Sequence, residues 1–171
     1  MPNFHYAGLN SLQVLFDKTG FVSGLHNPLK SVIISVKEVE MTDITDSKLL
    51  ACVIARILDD KLGKDISILN ISHVSSLADY FVIVTGDSTP QVKALMEAVK
   101  DTIKKRFERL PSRMENDVRN RWNLLDYGDV VVHILHKDER ETYAIEKFWN
   151  HAFSVTEAEW KEISKDYTVY K

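Results

Sequence analysis

Two aspartates in the C-terminal third of the chain are the residues whose spacing most strongly suggests a chemical role. Asp126 and Asp129 bracket a Tyr-Gly pair, with apolar, strand-like residues on either side. If Tyr127-Gly128 is the two-residue loop of a β-hairpin, the two carboxylates lie opposite each other. Like charges in that position destabilise a sheet. A metal site, a catalytic acid pair or a surface that docks a basic partner could each justify them.

The predicted hairpin sorts its side chains onto two faces. Counting outward from the loop places Leu125 opposite Val130 and Trp122 opposite His133, and side chains alternate along each strand. One face is aliphatic and belongs to the core. The other combines an aromatic ring, aliphatic residues, paired acids and a histidine, a mixture typical of protein interfaces. We therefore predict a partner-binding surface formed by Trp122, Leu124, Asp126, Asp129, Val131 and His133.

Two other interpretations of this face stay open. In the first, a terminal helix covers Trp122, and the aspartates merely accept hydrogen bonds from turn amides. In the second, Asp126 and Asp129 share a metal ion, but His133 lies roughly 13 Å from Asp129 along the strand and cannot complete the site. Because two carboxylates alone bind a hard cation weakly, we predict no metal site and no cofactor.

Other candidate groups for chemistry have simpler explanations. His136 points to the opposite side from His133, and neither has a nucleophile or acid at triad spacing, so we predict no catalytic residue. The turn at residues 86–88 could cradle a phosphate, but capping of the following helix is favoured. A basic cluster lies at the C-terminal end of that helix, where a solvated helix end is favoured over a phosphate contact. Its members are Lys104, Lys105, Arg106, Arg109 and Arg113.

Helical and strand patterns interleave along the chain and predict an α/β domain with a mixed sheet and flanking helices. The predicted helices are an apolar-faced one around residues 50–58, capped by Asp43 or Thr45 and ending at Gly63; one from Pro90 to about Phe107; one starting at Asp138 and continuing through Ala152; and one starting at Thr156. The predicted strands are 65–71, 80–86, one ending at Asp126 and one from Asp129 to about His136. The 80–86 strand is uniformly apolar and is predicted to be central.

Composition bounds the class of protein. The 171 residues include one cysteine and carry a formal net charge of −3. A single cysteine excludes an internal disulfide and a cysteine-based zinc site, and the charge gives no footprint for indiscriminate nucleic-acid binding. No apolar run approaches the roughly 20 residues of a membrane span. We predict a soluble, cytoplasmic protein without membrane contact.

The first forty residues differ from the rest, with little helical periodicity and no arginine. We predict a poorly ordered extension over residues 1–40, with Met41 as a possible downstream start. The predicted domain spans residues 43–153, and residues 154–171 are predicted to form a short C-terminal helix and tail.

Four segments together resemble the ribosomal silencing factor family, also called the Iojap family. The resemblance covers about residues 47 to 153, and the Trp-x-Leu-Leu-Asp-Tyr-Gly-Asp-Val-Val-Val-His stretch from Trp122 is its longest part. The segments, in chain order, are LLACVIARILDDKLGKDISILNI, SSLADYFVIVTGDSTPQVKAL, RWNLLDYGDVVVHIL and ERETYAIEKFWNHA.

The resemblance implies a fold similar to the nucleotidyltransferase-like fold, but without catalysis. It implies binding to the large ribosomal subunit, mainly through large-subunit ribosomal protein fourteen with little nucleic-acid contact, and a block to small-subunit joining when nutrients are scarce. We expect a monomer or weak homodimer. Chloroplast or mitochondrion is the alternative location, because organellar members also carry extensions. The alternative function is a nucleotidyltransferase-like enzyme in which Asp126 and Asp129 hold Mg²⁺.

Overall fold

The computed structural model describes residues 44–167, and these fold into one mixed sheet with helices on both faces. The helices are α1 (Ser47–Asp60), α2 (Thr89–Phe107), α3 (Lys137–Tyr143), α4 (Ile145–Phe148) and α5 (Glu157–Ile163), followed by a 3-10 turn, Lys165–Tyr167. The strands are β1 (Lys64–Asn70), β2 (Tyr80–Gly86), β3 (Arg113–Asn116), β4 (Trp122–Asp126), β5 (Val130–His136) and β6 (Phe153–Val155). The predicted α/β class is confirmed.

The six strands lie in the order β3-β4-β5-β2-β1-β6. β2 and β5 are parallel, and every other neighbouring pair is antiparallel. All seven residues of β2 are buried, because helices cover both faces of the sheet where β2 lies. The prediction of a central strand over residues 80–86 is confirmed.

One face of the sheet, which we call the sealed face, packs against α1, α2 and α5. α2 buries six side chains against it, the six expected from the apolar spacing: Val92, Leu95, Met96, Val99, Ile103 and Phe107. Ser88 caps this helix by accepting a hydrogen bond from the Gln91 amide at 3.4 Å, so the capping interpretation is confirmed. Trp160 of α5 is 2% exposed and belongs to the same core.

The other face, which we call the open face, is covered by the short helices α3 and α4. A second apolar cluster lies there, with Leu69, Phe81, Ile83, Val131 and Leu135 among its buried members. α3 is seven residues long and α4 only four. Such short elements cannot cover the whole sheet, and the part over β4 is left partly exposed.

Several predicted helix ends are corrected. The N-cap of α1 is Asp46, which accepts from two amides, rather than Thr45; Asp43 lies outside the described residues. Leu62, not Gly63, takes the left-handed conformation after α1. Position 63 requires a glycine for another reason: a Cβ atom there would lie 2.6 Å from the Val84 side chain. α3 is capped by His136 rather than Asp138.

The segment after β5 also departs from prediction, because the expected long helix stops at Ala144. That residue has φ 43° and ψ 51°, which ends α3 and starts α4. Phe153–Val155 then pairs with β1 as an edge strand, and Arg113–Asn116 forms the opposite edge. Short, exposed strands lack apolar alternation, so neither was predicted.

Within residues 44–167, no helix is long and apolar enough to cross a membrane. The predicted extension over residues 1–40 lies outside the described part of the chain.

Candidate docking surface

The hairpin that carries the two aspartates forms, but its register differs from prediction by two residues. Asp126 lies opposite Val131 and Trp122 opposite Leu135. The Tyr127 amide donates to the Val130 carbonyl at 2.9 Å, so the loop is Gly128-Asp129. The expected pairing of Asp126 with Asp129 is therefore wrong.

The glycine conformation explains the shift. Gly128 has φ +91°, and a two-residue hairpin loop of type II′ places glycine at its first position. Tyr127 then joins the ladder and is 5% exposed. A shift of two residues preserves the alternation of side chains, so Trp122, Leu124 and Asp126 still share one face.

The first aspartate stabilises the turn. The Asp126 carboxylate accepts a hydrogen bond from the Gly128 amide at 2.7 Å, which is an Asx-turn interaction. This agrees with the alternative in which the acids accept turn amides. It also commits the Asp126 carboxylate to the loop.

The second aspartate has a cation as its partner. The Asp129 carboxylate accepts from the Arg109 guanidinium, and both side chains are about three-quarters buried. Arg109 also donates to the Ile44 carbonyl at 3.0 Å and the Tyr127 carbonyl at 2.7 Å. The ion pair neutralises Asp129 and ties the loop to the end of α2, so the two aspartates cannot jointly hold Mg²⁺.

Trp122 is half-buried at the edge of the open face and lines a groove of ≈ 590 Å³, the Trp122 groove. Its ring centroid lies 4.6 Å from that of Tyr143, which is 56% exposed. The lining residues are Glu115, Asn116, Asp117, Trp122, Leu124, Glu139 and Tyr143. The groove therefore has an aromatic floor and an acidic rim.

Two of the predicted surface residues lie beneath this groove instead. Val131 is 9% exposed and His133 is 7% exposed. The His133 ring packs against Phe81 at 4.9 Å and Trp122 at 5.9 Å. These side chains are too deeply buried to touch a partner, and they support Trp122 from below.

Burial determines the charge state of His133. Both ring nitrogens are buried and have no hydrogen-bond partner among the described residues. Desolvation lowers the pKa of His133 to about 4, and nearby Glu146 only partly opposes this. The ring is neutral at pH 7.

A potential metal-binding group lies beside the groove. Donor atoms of His136, Asp138 and Glu139 lie within 4.8 Å of one another. However, Arg121 donates to both carboxylates, and its guanidinium lowers the pKa of Asp138. A cation from the chain itself already binds both carboxylates of this group.

Sequence reasoning missed Tyr143 and the acids of the groove, Glu115, Asp117 and Glu139. β3 was not predicted, so Glu115 had no expected position. Tyr143 was assigned to a continuous helix. No local pattern in the sequence marks Tyr143, because the bend at Ala144 that places it depends on contacts with distant segments.

Fold and surface together define a small α/β binding domain with an acidic and aromatic groove. A family model described as "Ribosomal silencing factor during starvation" matches residues 44–169. The chain belongs to this family, and the resemblance found in the sequence is confirmed.

Individual relatives agree. The chain is similar to "Ribosomal silencing factor RsfS" of Bacillus subtilis, 40% identical over 107 residues, 63% of this chain and 90% of that protein. It is also similar to "Protein Iojap, chloroplastic" of Arabidopsis thaliana, 30% identical over 142 residues, 82% of this chain and 56% of that protein.

Solved structures give the same fold. A crystal structure of a Chromobacterium violaceum protein matches with a TM-score of 0.56 and 36% identity, over 59% of this chain and 83% of that one. A Bacillus halodurans structure matches with a TM-score of 0.53 and 36% identity, over 61% and 93%. Because the family consists of non-enzymatic ribosome-binding factors, the chain is not an enzyme.

Proposed function

We propose that this protein binds the large ribosomal subunit through large-subunit ribosomal protein fourteen and blocks joining of the small subunit. Translation would then fall under starvation, the condition in the family description. Membership of the family supports binding to the ribosome. The partner protein and the block to joining are our inference from the resemblance of residues 47–153.

The Trp122 groove is the observation that carries this proposal. A half-buried tryptophan beside an exposed tyrosine offers an aromatic anchor, and interface hot spots are enriched in both residue types. Asp117 gives the rim a negative charge, and Glu115 adds a carboxylate that forms an exposed ion pair with Arg113. Exposed carboxylates of this kind complement a basic ribosomal protein. The same charge repels phosphate groups, so little direct contact with ribosomal RNA is expected.

The proposed contact residues are revised accordingly. Trp122 and Leu124 remain, Tyr143 joins them, and Asp126 lies at the margin of the same face. Val131 and His133 act from below. Asp129 is assigned to stability, because its carboxylate is bound by Arg109.

Co-sedimentation with separated subunits tests the proposal. The full chain should pellet with large subunits and not with small ones. Preincubation with large subunits should then reduce the formation of joined ribosomes in a sucrose gradient. Equal binding to both subunits, or joining at the normal level on saturated large subunits, would contradict it.

The acidic rim is tested by removing charge without changing shape. Glu115→Gln with Asp117→Asn should weaken binding and make it less sensitive to salt. The matched control is Asp59→Asn with Glu157→Gln, two acids beside Lys161 on the sealed face. The control should bind as the unchanged protein does.

We propose a cytoplasmic site of action, since bacterial relatives reach 40% identity. The alternative is an organelle, because relatives also include chloroplast proteins and a mouse protein named "Mitochondrial assembly of ribosomal large subunit protein 1" at 28% identity. A monomer or weak homodimer and a nucleotidyltransferase-like topology remain our expectations.

A further inference from the structure

The chain between β5 and β6 bends sharply at Ala144, where a continuous helix would otherwise form. Ala144 has φ 43° and ψ 51°. A left-handed conformation costs a residue with a Cβ about 1 kcal/mol or more. Non-glycine residues persist in that conformation only where surrounding contacts determine it. The bend therefore requires stabilising contacts from other residues.

Arg140 makes those contacts. Its guanidinium donates to Thr85 Oγ1 at 3.0 Å and to Ser67 Oγ at 2.8 Å, and it forms an ion pair with Glu146. The arginine side chain is 15% exposed. Arg140 lies in α3, Glu146 in α4, and the two hydroxyls on β2 and β1, so one side chain joins both helices to the sheet.

Two of the groups that accept hydrogen bonds from Arg140 also bind each other. Ser67 Oγ also donates to the Glu146 carboxylate at 2.9 Å. Burial alone would raise the pKa of Glu146, but its backbone hydrogen bond, Arg140 and Ser67 outweigh burial and lower it. Glu146 is therefore ionised at neutral pH and pairs with Arg140 as a carboxylate.

The bend determines where two aromatic rings lie. Tyr143 comes immediately before Ala144, and its ring packs at 4.6 Å on Trp122. Trp149 follows α4, and its ring packs at 5.4 Å on Phe81. If α3 and α4 merged into one helix, Tyr143 and Trp149 could not both keep these positions.

We propose that Arg140 is a positioning residue for the Trp122 groove: by holding the bend at Ala144, it places Tyr143 against Trp122 in the geometry that the partner binds. The proposal rests on the proposed function, since it assumes that the groove docks the ribosome. Arginine suits this role because its planar fork can serve several acceptors at once, which a lysine ammonium does less well.

Arg140→Met tests the role, because it keeps an apolar stem and removes the guanidinium. We expect at least tenfold weaker binding to purified large subunits, with the domain still melting cooperatively. Lys137→Met is the matched control: it removes one positive charge from an exposed site of the same helix. Its binding should stay within twofold of the unchanged protein.

Rescue separates positioning from a general loss of packing. Adding Ala144→Gly to Arg140→Met relieves the left-handed strain at the bend, so the bend should form with fewer tethers. Binding should recover at least threefold over Arg140→Met alone. A variant that bound poorly for lack of direct contact with Arg140 would not be rescued in this way.

The indole N–H signals of Trp122 and Trp160 in an NMR spectrum report position without the ribosome. In Arg140→Met, the Trp122 signal should move toward its position in Tyr143→Ala, and the Trp160 signal on the sealed face should not. Ala144→Gly should return the Trp122 signal toward its original position.

Full-strength binding by Arg140→Met with an unmoved Trp122 signal overturns the proposal. Loss of cooperative melting in both Arg140→Met and the double variant Arg140→Met with Ala144→Gly also overturns the proposal, since Arg140 would then stabilise the whole domain. If Trp122→Ala binds normally, the Trp122 groove is not the docking surface, yet the NMR signals still decide whether Arg140 positions Tyr143.

Discussion

Two tryptophans, one on each face of the sheet, have different roles. On the sealed face, Trp160 is 2% exposed, with Arg56 lying 5.4 Å from its ring centre. On the open face, Trp122 is half-buried and lines a groove. The extent of helical cover, not the residue type, determines whether a tryptophan contributes mainly to folding or remains available to a partner.

The sealed face should show the largest effect on stability. Trp160→Ala is expected to lower the free energy of unfolding by about 3–5 kcal/mol, as for other buried tryptophans, a large part of the 5–15 kcal/mol typical of a domain. Urea unfolding followed by circular dichroism measures this. A loss below 1 kcal/mol would show that α5 contributes little to the core.

The two aspartates of the hairpin should differ in how much their replacement lowers the stability of the domain. Asp129→Ala leaves Arg109 without its carboxylate and should cost about 1.5–3 kcal/mol, the range for hydrogen bonds to charged groups. Folded Asp129→Ala should still bind large subunits. Asp126→Ala, which loses one turn hydrogen bond, is the control and should cost less; the reverse order would contradict the assignment.

His133 makes the buried layer of the open face sensitive to acid. Its folded pKa, about 4, lies below the ordinary value of 6.5, so the unfolded chain binds a proton first as pH falls. Stability is therefore full above pH 6.5 and declines below it, by about 2 kcal/mol between pH 6.5 and 5. His133→Phe should flatten this decline in urea titrations at the two pH values. Parallel curves for the two proteins would argue against a buried, neutral His133.

Removal of the N-terminal residues should have the smallest effect. We propose that residues 1–40 are dispensable, because their sequence lacks the periodicity that buries apolar surface. A chain starting at Met41 keeps Ile44, whose carbonyl accepts from Arg109. It should melt within a few degrees of the full chain and bind large subunits equally well. Loss of cooperative melting would reject this boundary.

The sequence predicted those parts of the fold that depend on local pattern. β2 is a continuous apolar run, the inward side of α2 follows from spacing, and Thr156 caps the last helix by accepting from the Glu159 amide. The alternation in β4 and β5 assigned Trp122 and Leu124 to one face correctly. In each case, neighbouring residues alone carry the information.

What could not be predicted depends on contacts between distant segments. The bend at Ala144 is held by a hydrogen bond from Arg140 to Ser67, 73 residues away. The hairpin register depends on where the positive φ of Gly128 falls within the loop, which residue type alone leaves open. Tyr143 reached the groove only through that bend, and so the prediction omitted it.

The role of the open face is tested by comparing Trp122→Ala with Phe153→Ala in binding to purified large subunits. Both remove a large aromatic ring, but Phe153 is a 69% exposed residue on the edge strand β6, outside the groove. We predict that Trp122→Ala weakens binding about thirtyfold, equivalent to about 2 kcal/mol, while Phe153→Ala changes it less than twofold and both domains stay folded. Full-strength binding by folded Trp122→Ala would contradict the claim that the open face is the docking surface.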